Sequence, residues 1–160
     1  MENINNLEKL KEKLLLIVDN IKEQYITLNE LKFEKEKNLI NIKPKKVRLE
    51  HNLVQEINSG EILNDDNEKF PYISIAYRLI EKIYIDDEEN PIVNNTIEYV
   101  LHIILKPKEE IYRIIKDKNV LEKYAKGTGI LTVFPYIRHM ANFLHKEAGI
   151  DIPPYPPMKI

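Results

Sequence analysis

Alternation of apolar and polar residues constrains the fold of this 160-residue chain more than any other feature. The most regular stretch, residues 97–105, has an apolar residue at every second position: Ile97, Tyr99, Leu101, Ile103 and Leu105. Successive side chains of a strand point to opposite faces, so this period predicts a strand with one buried face. Similar alternation predicts three earlier strands, near residues 24–35, 46–53 and 73–85. Four consecutive strands joined by short polar breaks, at Ser59-Gly60 with residues 64–69 and at residues 86–91, predict an antiparallel sheet.

Helical periodicity flanks this sheet on both sides. Residues 4–23 repeat apolar side chains at steps of three and four, which predicts an added N-terminal helix. Residues 109–148 return to that spacing, and we expect a short helix, a tight turn at Lys126–Gly129 with positive-φ glycines, and a long C-terminal helix. The Pro-rich tail, residues 150–160, should be extended. The predicted fold is therefore α+β, a single domain over residues 1–160 with its sheet in residues 25–106.

Composition and motif spacing exclude several kinds of site. The chain has no cysteine and a formal net charge of -2, which argue against thiolate chemistry and against a general polyanion binder. His139 and His145 are six residues apart and would lie on different faces of a helix, so they do not form a metal-binding pair. No apolar run is long enough to span a bilayer. We expect a soluble cytoplasmic protein that is not an enzyme, needs no cofactor or metal, binds no nucleic acid and does not insert into a membrane.

Two apolar clusters lie where the sequence predicts no sheet or helix to bury them. The connector between the first two strands carries Leu39, Ile40 and Ile42, and the tail carries Ile152, Tyr155 and Met158. Aliphatic side chains in loops are disfavoured unless something covers them. Either the two clusters pack on each other or within a subunit interface, or they form a groove for apolar segments of another chain.

Three short motifs in the C-terminal third resemble the SecB family of export chaperones. They are Tyr-Ala-Lys-Gly-Thr-Gly at residues 124–129, Phe-Pro-Tyr-Ile-Arg at residues 134–138, and Ile-Pro-Pro at residues 152–154. The order of the four strands, the apolar crossover after the first strand, and residues 29–34 also fit the family. The resemblance spans roughly residues 25–157 and implies a homotetramer, a dimer of dimers, that holds unfolded chains in apolar grooves without ATP.

The resemblance also assigns expected roles to residues. It places the groove between the crossover and the tail, so that Leu39, Ile40, Ile42, Ile152, Tyr155 and Met158 bind the client. Glu30 and Glu34 correspond to the first-strand acidic residues that dock the motor ATPase SecA. In the helix motif we expect Phe134 and Tyr136 to anchor the helix start beside Pro135, with Arg138 paired to a carboxylate.

Two departures from the export chaperones bear on the client. We expect an added N-terminal helix at residues 4–23, and we expect the family's second helix and acidic C-terminal tail to be missing because the sequence stops at Ile160. Both features resemble the SecB-like chaperones of toxin–antitoxin systems, so the client is either an antitoxin or a secretory preprotein. The alternative from another functional class is an oligomeric adaptor whose apolar faces serve only self-assembly.

Overall fold

The structure of the protein is a computed structural model that describes residues 2–35 and 46–149 together with Tyr155. Helix α1 spans Glu2–Asp19, and four strands follow: β1 (Ile21–Lys35), β2 (Val47–Leu63), β3 (Lys69–Ile85) and β4 (Val93–Leu105). The C-terminal third holds α2 (Glu109–Ile114), α3 (Lys118–Tyr124), a π-helical segment (Ala125–Gly129) and α4 (Ile130–Ala148). Within the described residues, no helix is both long enough and apolar enough to cross a membrane.

The four strands form one antiparallel sheet in the order β1-β4-β3-β2, which confirms the predicted α+β fold. β1 and β2 follow each other in the chain but form the opposite edges of the sheet. The two inner strands bury alternate residues, as their sequence period predicts, whereas the edge strand β1 is mostly exposed. Burial is therefore concentrated on one face of β3 and β4.

The chain divides into two compact units, and unit 1 comprises Met1–Thr27, Glu56–Ala76 and Leu101–Ile130. Within unit 1, helix α1 packs against α2 and α3, and Lys13 pairs with Asp117 at 3.4 Å. The predicted inward residues Ile111, Ile114 and Ile115 are buried. The core of unit 1 also contains the buried side chains Ile17, Ile73, Ile75, Leu101, Ile103, Leu105 and Tyr124.

Unit 2 comprises Leu28–Gln55, Tyr77–Val100 and Leu131–Ile160. One face of α4 is buried at three- and four-residue steps by Val133, Ile137, Ala141, Leu144 and Ala148. Leu131, Phe134 and Met140, which the helical spacing also predicts to face inward, are only half-buried. At one end of this unit, Ile83, Ile85, Ile92 and Val93 form a cluster with Ala148, and the half-buried Phe33, Val47 and Leu49 pack against it. Unit 2 thus has a strand-and-helix core of its own.

The N-terminal helix is shorter than predicted. It ends at Asp19 rather than at residue 23, and Ile21 already belongs to β1. Asn20 explains the difference, since its side-chain amide donates to the Leu16 carbonyl at 2.7 Å and so satisfies a carbonyl that the end of the helix leaves free. Of the predicted stripe, Ile17 is buried, whereas Leu7 is 65% exposed.

Two predicted interruptions are also wrong. Ser59 and Gly60 lie inside β2, where the Ser59 hydroxyl donates to the Ile115 carbonyl at 2.9 Å, so a tertiary contact overrides the local turn preference. Lys126–Gly129 does not form a turn with positive-φ glycines, because these residues belong to the π-helical segment that leads directly into α4. The glycine with positive φ is Gly149, at 73°, directly after α4.

Candidate functional site

A carboxylate lies inside the core of unit 2. Glu81 falls in the buried phase of β3, between Leu79 and Ile83, and is 0% exposed. A charged group removed from water is strongly destabilising unless it is paired and hydrogen-bonded. The partners of Glu81 therefore define the first candidate site.

Three elements supply those partners. From α4, His145 Nε2 lies 2.9 Å from one carboxylate oxygen of Glu81 and 3.1 Å from the other. From β4, the Asn95 side-chain amide donates to the carboxylate at 3.2 Å. From the segment after α4, the Tyr155 hydroxyl donates to Oε2 of Glu81. Burial by itself would raise the pKa of Glu81, but the hydrogen bonds of His145, Tyr155 and Asn95 and the charge of His145 outweigh it. The pKa of Glu81 is therefore lowered, and the carboxylate is held ionised.

Tyr155 is held by its backbone as well as by its hydroxyl. Its N–H donates to the Asn142 side-chain oxygen at 3.1 Å. Its ring meets His51 of β2 edge-on at 5.6 Å and lies tilted against His145 at 5.7 Å. Burial and the nearby Glu81 raise the pKa of Tyr155, so the phenol keeps its proton and remains a donor. We call Glu81, Asn142, His145 and His51 the tyrosine pocket.

Unit 2 also carries a shallow cavity between β2 and β3. A cavity of about 310 Å³ is lined by Glu50, His51 and Asn52 of β2 and by Ile80 and Lys82 of β3. His51 contributes both to this cavity and to the contact with the Tyr155 ring. Ile80 and Lys82 alternate with Glu81 along β3, so this cavity opens on the face of the sheet opposite the tyrosine pocket.

Two buried atoms beside the carboxylate lack a hydrogen-bond partner in the part of the chain that the structure describes. They are Asn95 Oδ1 and His145 Nδ1. Asn95 of β4 and His145 of α4 nevertheless each donate a hydrogen bond to Glu81. Neither bond involves the C-terminal tail. The arrangement is suited to accepting one further hydroxyl donor at the carboxylate, and Tyr155 supplies it.

A second polar cluster lies in unit 1 around the half-buried His102 of β4. Its Nδ1 lies 2.5 Å from the Tyr72 hydroxyl, and its Nε2 lies 2.9 Å from the Thr27 hydroxyl. The Tyr25 ring stacks on the imidazole at 4.6 Å and 15°. Burial lowers the pKa of His102, since desolvation disfavours its charged form.

The structure places only some of the predicted client-binding residues. Tyr155 lies in the tyrosine pocket, as described above. The remaining five lie outside the described residues: Leu39, Ile40, Ile42, Ile152 and Met158. Their assignment to a client groove stays a prediction.

The two residues predicted to dock SecA differ in their surroundings. Glu30 is half-buried and pairs with Arg78 at 3.1 Å and with Lys32 at 3.3 Å. Arg78 also pairs with Glu98 at 3.4 Å, so Glu30 belongs to a partly exposed charge network. Glu34 is exposed on β1.

The helix motif lies inside α4 rather than at its first residue. Phe134 is half-buried, and Tyr136 is 51% exposed with its ring tilted against Tyr99 at 5.9 Å. Pro135 is exposed within the helix, and Arg138 is half-buried. The neighbours Val133 and Ile137 are fully buried, so they anchor this part of α4 more than Phe134 does.

Exposed apolar side chains form the remaining surface feature of unit 2. On α4, Tyr136 and Phe143 are 51% and 52% exposed, and their spacing of seven puts them on one face, away from the buried stripe. Edge strands add further exposed side chains in this unit, Leu28, Leu31 and Val54.

The tyrosine pocket was not predicted as a site. The spacing of His145 from His139 bears only on metal binding, and no sequence motif includes Glu81 or Asn95. The signal was present in the strand pattern, because Glu81 and Asn95 occupy buried phases of β3 and β4 that otherwise carry apolar side chains. Within the described ranges, no group of three or more His, Asp or Glu residues is arranged to hold a metal ion.

Comparisons with known proteins give a likeness of fold. No protein-family profile and no curated protein sequence matches the chain. Among solved structures, it is similar to a SecB-like chaperone of Mycobacterium tuberculosis in complex with a ChAD peptide from an antitoxin. The TM-score is 0.56 at 14% identity, over 94% of this chain and 96% of that chain. The fold is therefore SecB-like over nearly the whole length of both chains.

Proposed function

We propose that the protein is a SecB-like molecular chaperone that holds unfolded client chains in the cytoplasm without ATP. The observation that carries this proposal is the SecB-like fold over 94% of the chain. The protein of similar fold was solved with a bound peptide, which supports peptide clients here. Binding of extended peptides through backbone and apolar contacts tolerates many sequences, as a holding chaperone requires.

We propose an antitoxin as the client rather than a secretory preprotein. The similar structure contains an antitoxin peptide, and the N-terminal helix α1 fits the toxin–antitoxin-associated group in the sequence resemblance. The SecA-docking role that export requires is weakened at Glu30, whose carboxylate is already paired with Arg78. Glu34, which is exposed, is the residue that would retain that role.

The proposal includes a homotetramer built from one SecB-like domain per 19.0 kDa chain. The outer face of α4 supports self-association, because Tyr136 and Phe143 are large and half exposed. Sedimentation at micromolar concentration tests this directly. A monomer would contradict the assembly.

Prevention of aggregation separates a chaperone from an adaptor. We expect the protein to suppress light scattering by an unrelated, chemically unfolded protein, without ATP and at a ratio near one tetramer per client. An adaptor that only assembles with itself would leave the scattering unchanged. The same assay with an antitoxin and with a preprotein as clients ranks the two client classes.

The client groove is tested by a triple substitution of predicted client-binding residues, Ile40→Ser, Ile42→Ser and Met158→Ser. We expect the variant to remain tetrameric and to lose the holding of the unfolded client. A matched control replaces three exposed apolar side chains of unit 1, Ile4, Leu7 and Leu63, which are 58–65% exposed. If the first variant holds clients as well as the control does, the groove lies elsewhere.

A further inference from the structure

Tyr155 contacts the rest of unit 2 as a bound peptide ligand would. In the sequence Pro153-Pro154-Tyr155-Pro156-Pro157 it carries the one backbone N–H, since proline has none. That N–H donates to Asn142 at 3.1 Å, and the hydroxyl donates to Glu81. The contact thus uses both the tyrosine side chain and the single backbone donor of its segment.

The receptor is built without the tail. His51 comes from β2, Glu81 from β3, and Asn142 and His145 from α4. Glu81 is fixed from below by Asn95 and His145, so the carboxylate is oriented whether or not Tyr155 is present. A buried carboxylate with an open acceptor position favours a phenol over a phenyl ring, because only the phenol donates a charge-assisted hydrogen bond.

We propose that the tyrosine pocket of Glu81, Asn142, His145 and His51 is a tyrosine-binding subsite, in which Tyr155 is an intramolecular ligand that tyrosine-bearing extended client segments displace. The inference rests on the proposed function and narrows its client class. Proline-flanked or otherwise extended segments are the suitable ligands, since they lose little conformational entropy on docking.

The tethered tyrosine also sets a threshold for client binding. A ligand linked to its site competes at an effective concentration that reaches the millimolar range for short linkers. A weakly binding segment therefore leaves Tyr155 in place, whereas a segment with a tyrosine and further contacts replaces it. The competing interpretation is that Tyr155 is a permanent structural fastening of the tail.

Peptide binding to the full-length protein tests the subsite. The probe is a fluorescein-labelled peptide with the sequence of residues 150–160, together with its analogue that carries Phe in place of Tyr. We expect the Tyr155→Ala protein to bind the tyrosine peptide at least about tenfold more tightly than the wild type does, and about tenfold more tightly than it binds the Phe peptide. Equal affinity of wild type and variant, or equal affinity for the two peptides, overturns the proposal.

A second variant and a matched control guard against misfolding. Tyr155→Phe keeps the ring but loses the hydroxyl, and we expect a peptide affinity between those of wild type and Tyr155→Ala. The control is Tyr112→Ala, because Tyr112 also donates to a carboxylate, that of Glu61 at 3.2 Å, but in an exposed place in unit 1. We expect it to bind the peptide as the wild type does, and an increase equal to that of Tyr155→Ala overturns the assignment of the pocket.

The aggregation assay separates this inference from the function on which it rests. If Tyr155→Ala still holds an unfolded client but does not discriminate the two peptides, the chaperone stands and the tyrosine subsite is wrong. If the wild type does not hold clients but Tyr155→Ala discriminates the peptides, the subsite stands and the holding function is wrong.

Discussion

Units 1 and 2 each surround a histidine with tyrosines, but only one of the histidines faces a carboxylate. In unit 2, His145 is 3% exposed and meets the fully buried Glu81. In unit 1, the neighbours of the half-buried His102 among the described residues are the hydroxyl groups of Tyr72 and Thr27 and the stacked rings of Tyr25 and Tyr72. The first cluster contains a charge inside a core, and the second is a set of neutral contacts near solvent.

The difference decides how much each cluster can affect stability. A buried charge that loses its partners incurs the full cost of desolvation, whereas a partly exposed hydroxyl or imidazole can turn to water. We therefore expect substitutions around Glu81 to be more destabilising than equivalent substitutions around His102.

The largest expected effect is that of Glu81→Ala. It leaves the donors of His145, Asn95 and Tyr155 without an acceptor, and we expect a loss of about 3–5 kcal/mol in the free energy of unfolding. Urea denaturation at pH 7 measures it. The control is Glu61→Ala, which removes the exposed carboxylate bonded to Tyr112 in unit 1 and should cost less than about 0.5 kcal/mol. Equal losses would show that the buried cluster does not stabilise the fold.

Removal of a single hydroxyl sharpens the comparison. Tyr155→Phe deletes a hydrogen bond to an ionised carboxylate, and we expect it to cost about 1.5–3 kcal/mol. Tyr72→Phe deletes the hydroxyl that contacts His102, a neutral partner, and should cost about 0.5–1.5 kcal/mol. Denaturation of both variants under the same conditions tests the order. A larger loss for Tyr72→Phe would reverse our ranking of the two clusters.

The two clusters also show what the sequence could predict. Strict period-two alternation in β3 and β4 was enough to predict their buried face, because burial of alternate apolar side chains is a local property of a strand. The same pattern contained Glu81, but its role depends on His145, 64 residues away in sequence, and on Tyr155, 74 residues away. Periodicity carries no information on such contacts.

Errors in the element bounds have the same origin. Ser59-Gly60 has the composition of a turn, yet both residues lie within β2. There the Ser59 hydroxyl donates a hydrogen bond to the backbone carbonyl of Ile115, which follows α2. The end of α1 at Asp19 coincides with the hydrogen bond from the Asn20 side chain to the Leu16 carbonyl. The spacing of apolar residues along the helix does not predict that hydrogen bond. The resemblance to the SecB family implied the architecture, whereas the tyrosine pocket depends on contacts between residues far apart in sequence.

The two clusters change the free energy of unfolding in different pH ranges. The pKa of Glu81 in the folded protein is lower than its ordinary value of 4.5, so its contribution is complete above pH 4.5 and is lost as the pH falls through the lowered value. We expect the stability difference between wild type and Glu81→Gln to shrink as the pH falls below 4.5. Urea denaturation over this range measures it, and a constant difference would contradict an ionised Glu81.

We expect the smallest effect on stability from His102, at higher pH than the effect of Glu81. Burial lowers the pKa of His102 below its ordinary value of 6.5, so the unfolded chain binds more protons than the folded one in this range. Stability from this residue is therefore complete above pH 6.5 and is lost as the pH falls through the lowered folded value. His102→Gln should remove that part of the pH dependence. An NMR titration of the His102 ring in the folded protein measures its midpoint directly. A midpoint at or above 6.5 would mean that protonated His102 gains as much from its hydroxyl neighbours as it loses by burial, and the contrast between the two clusters would then rest on Glu81 alone.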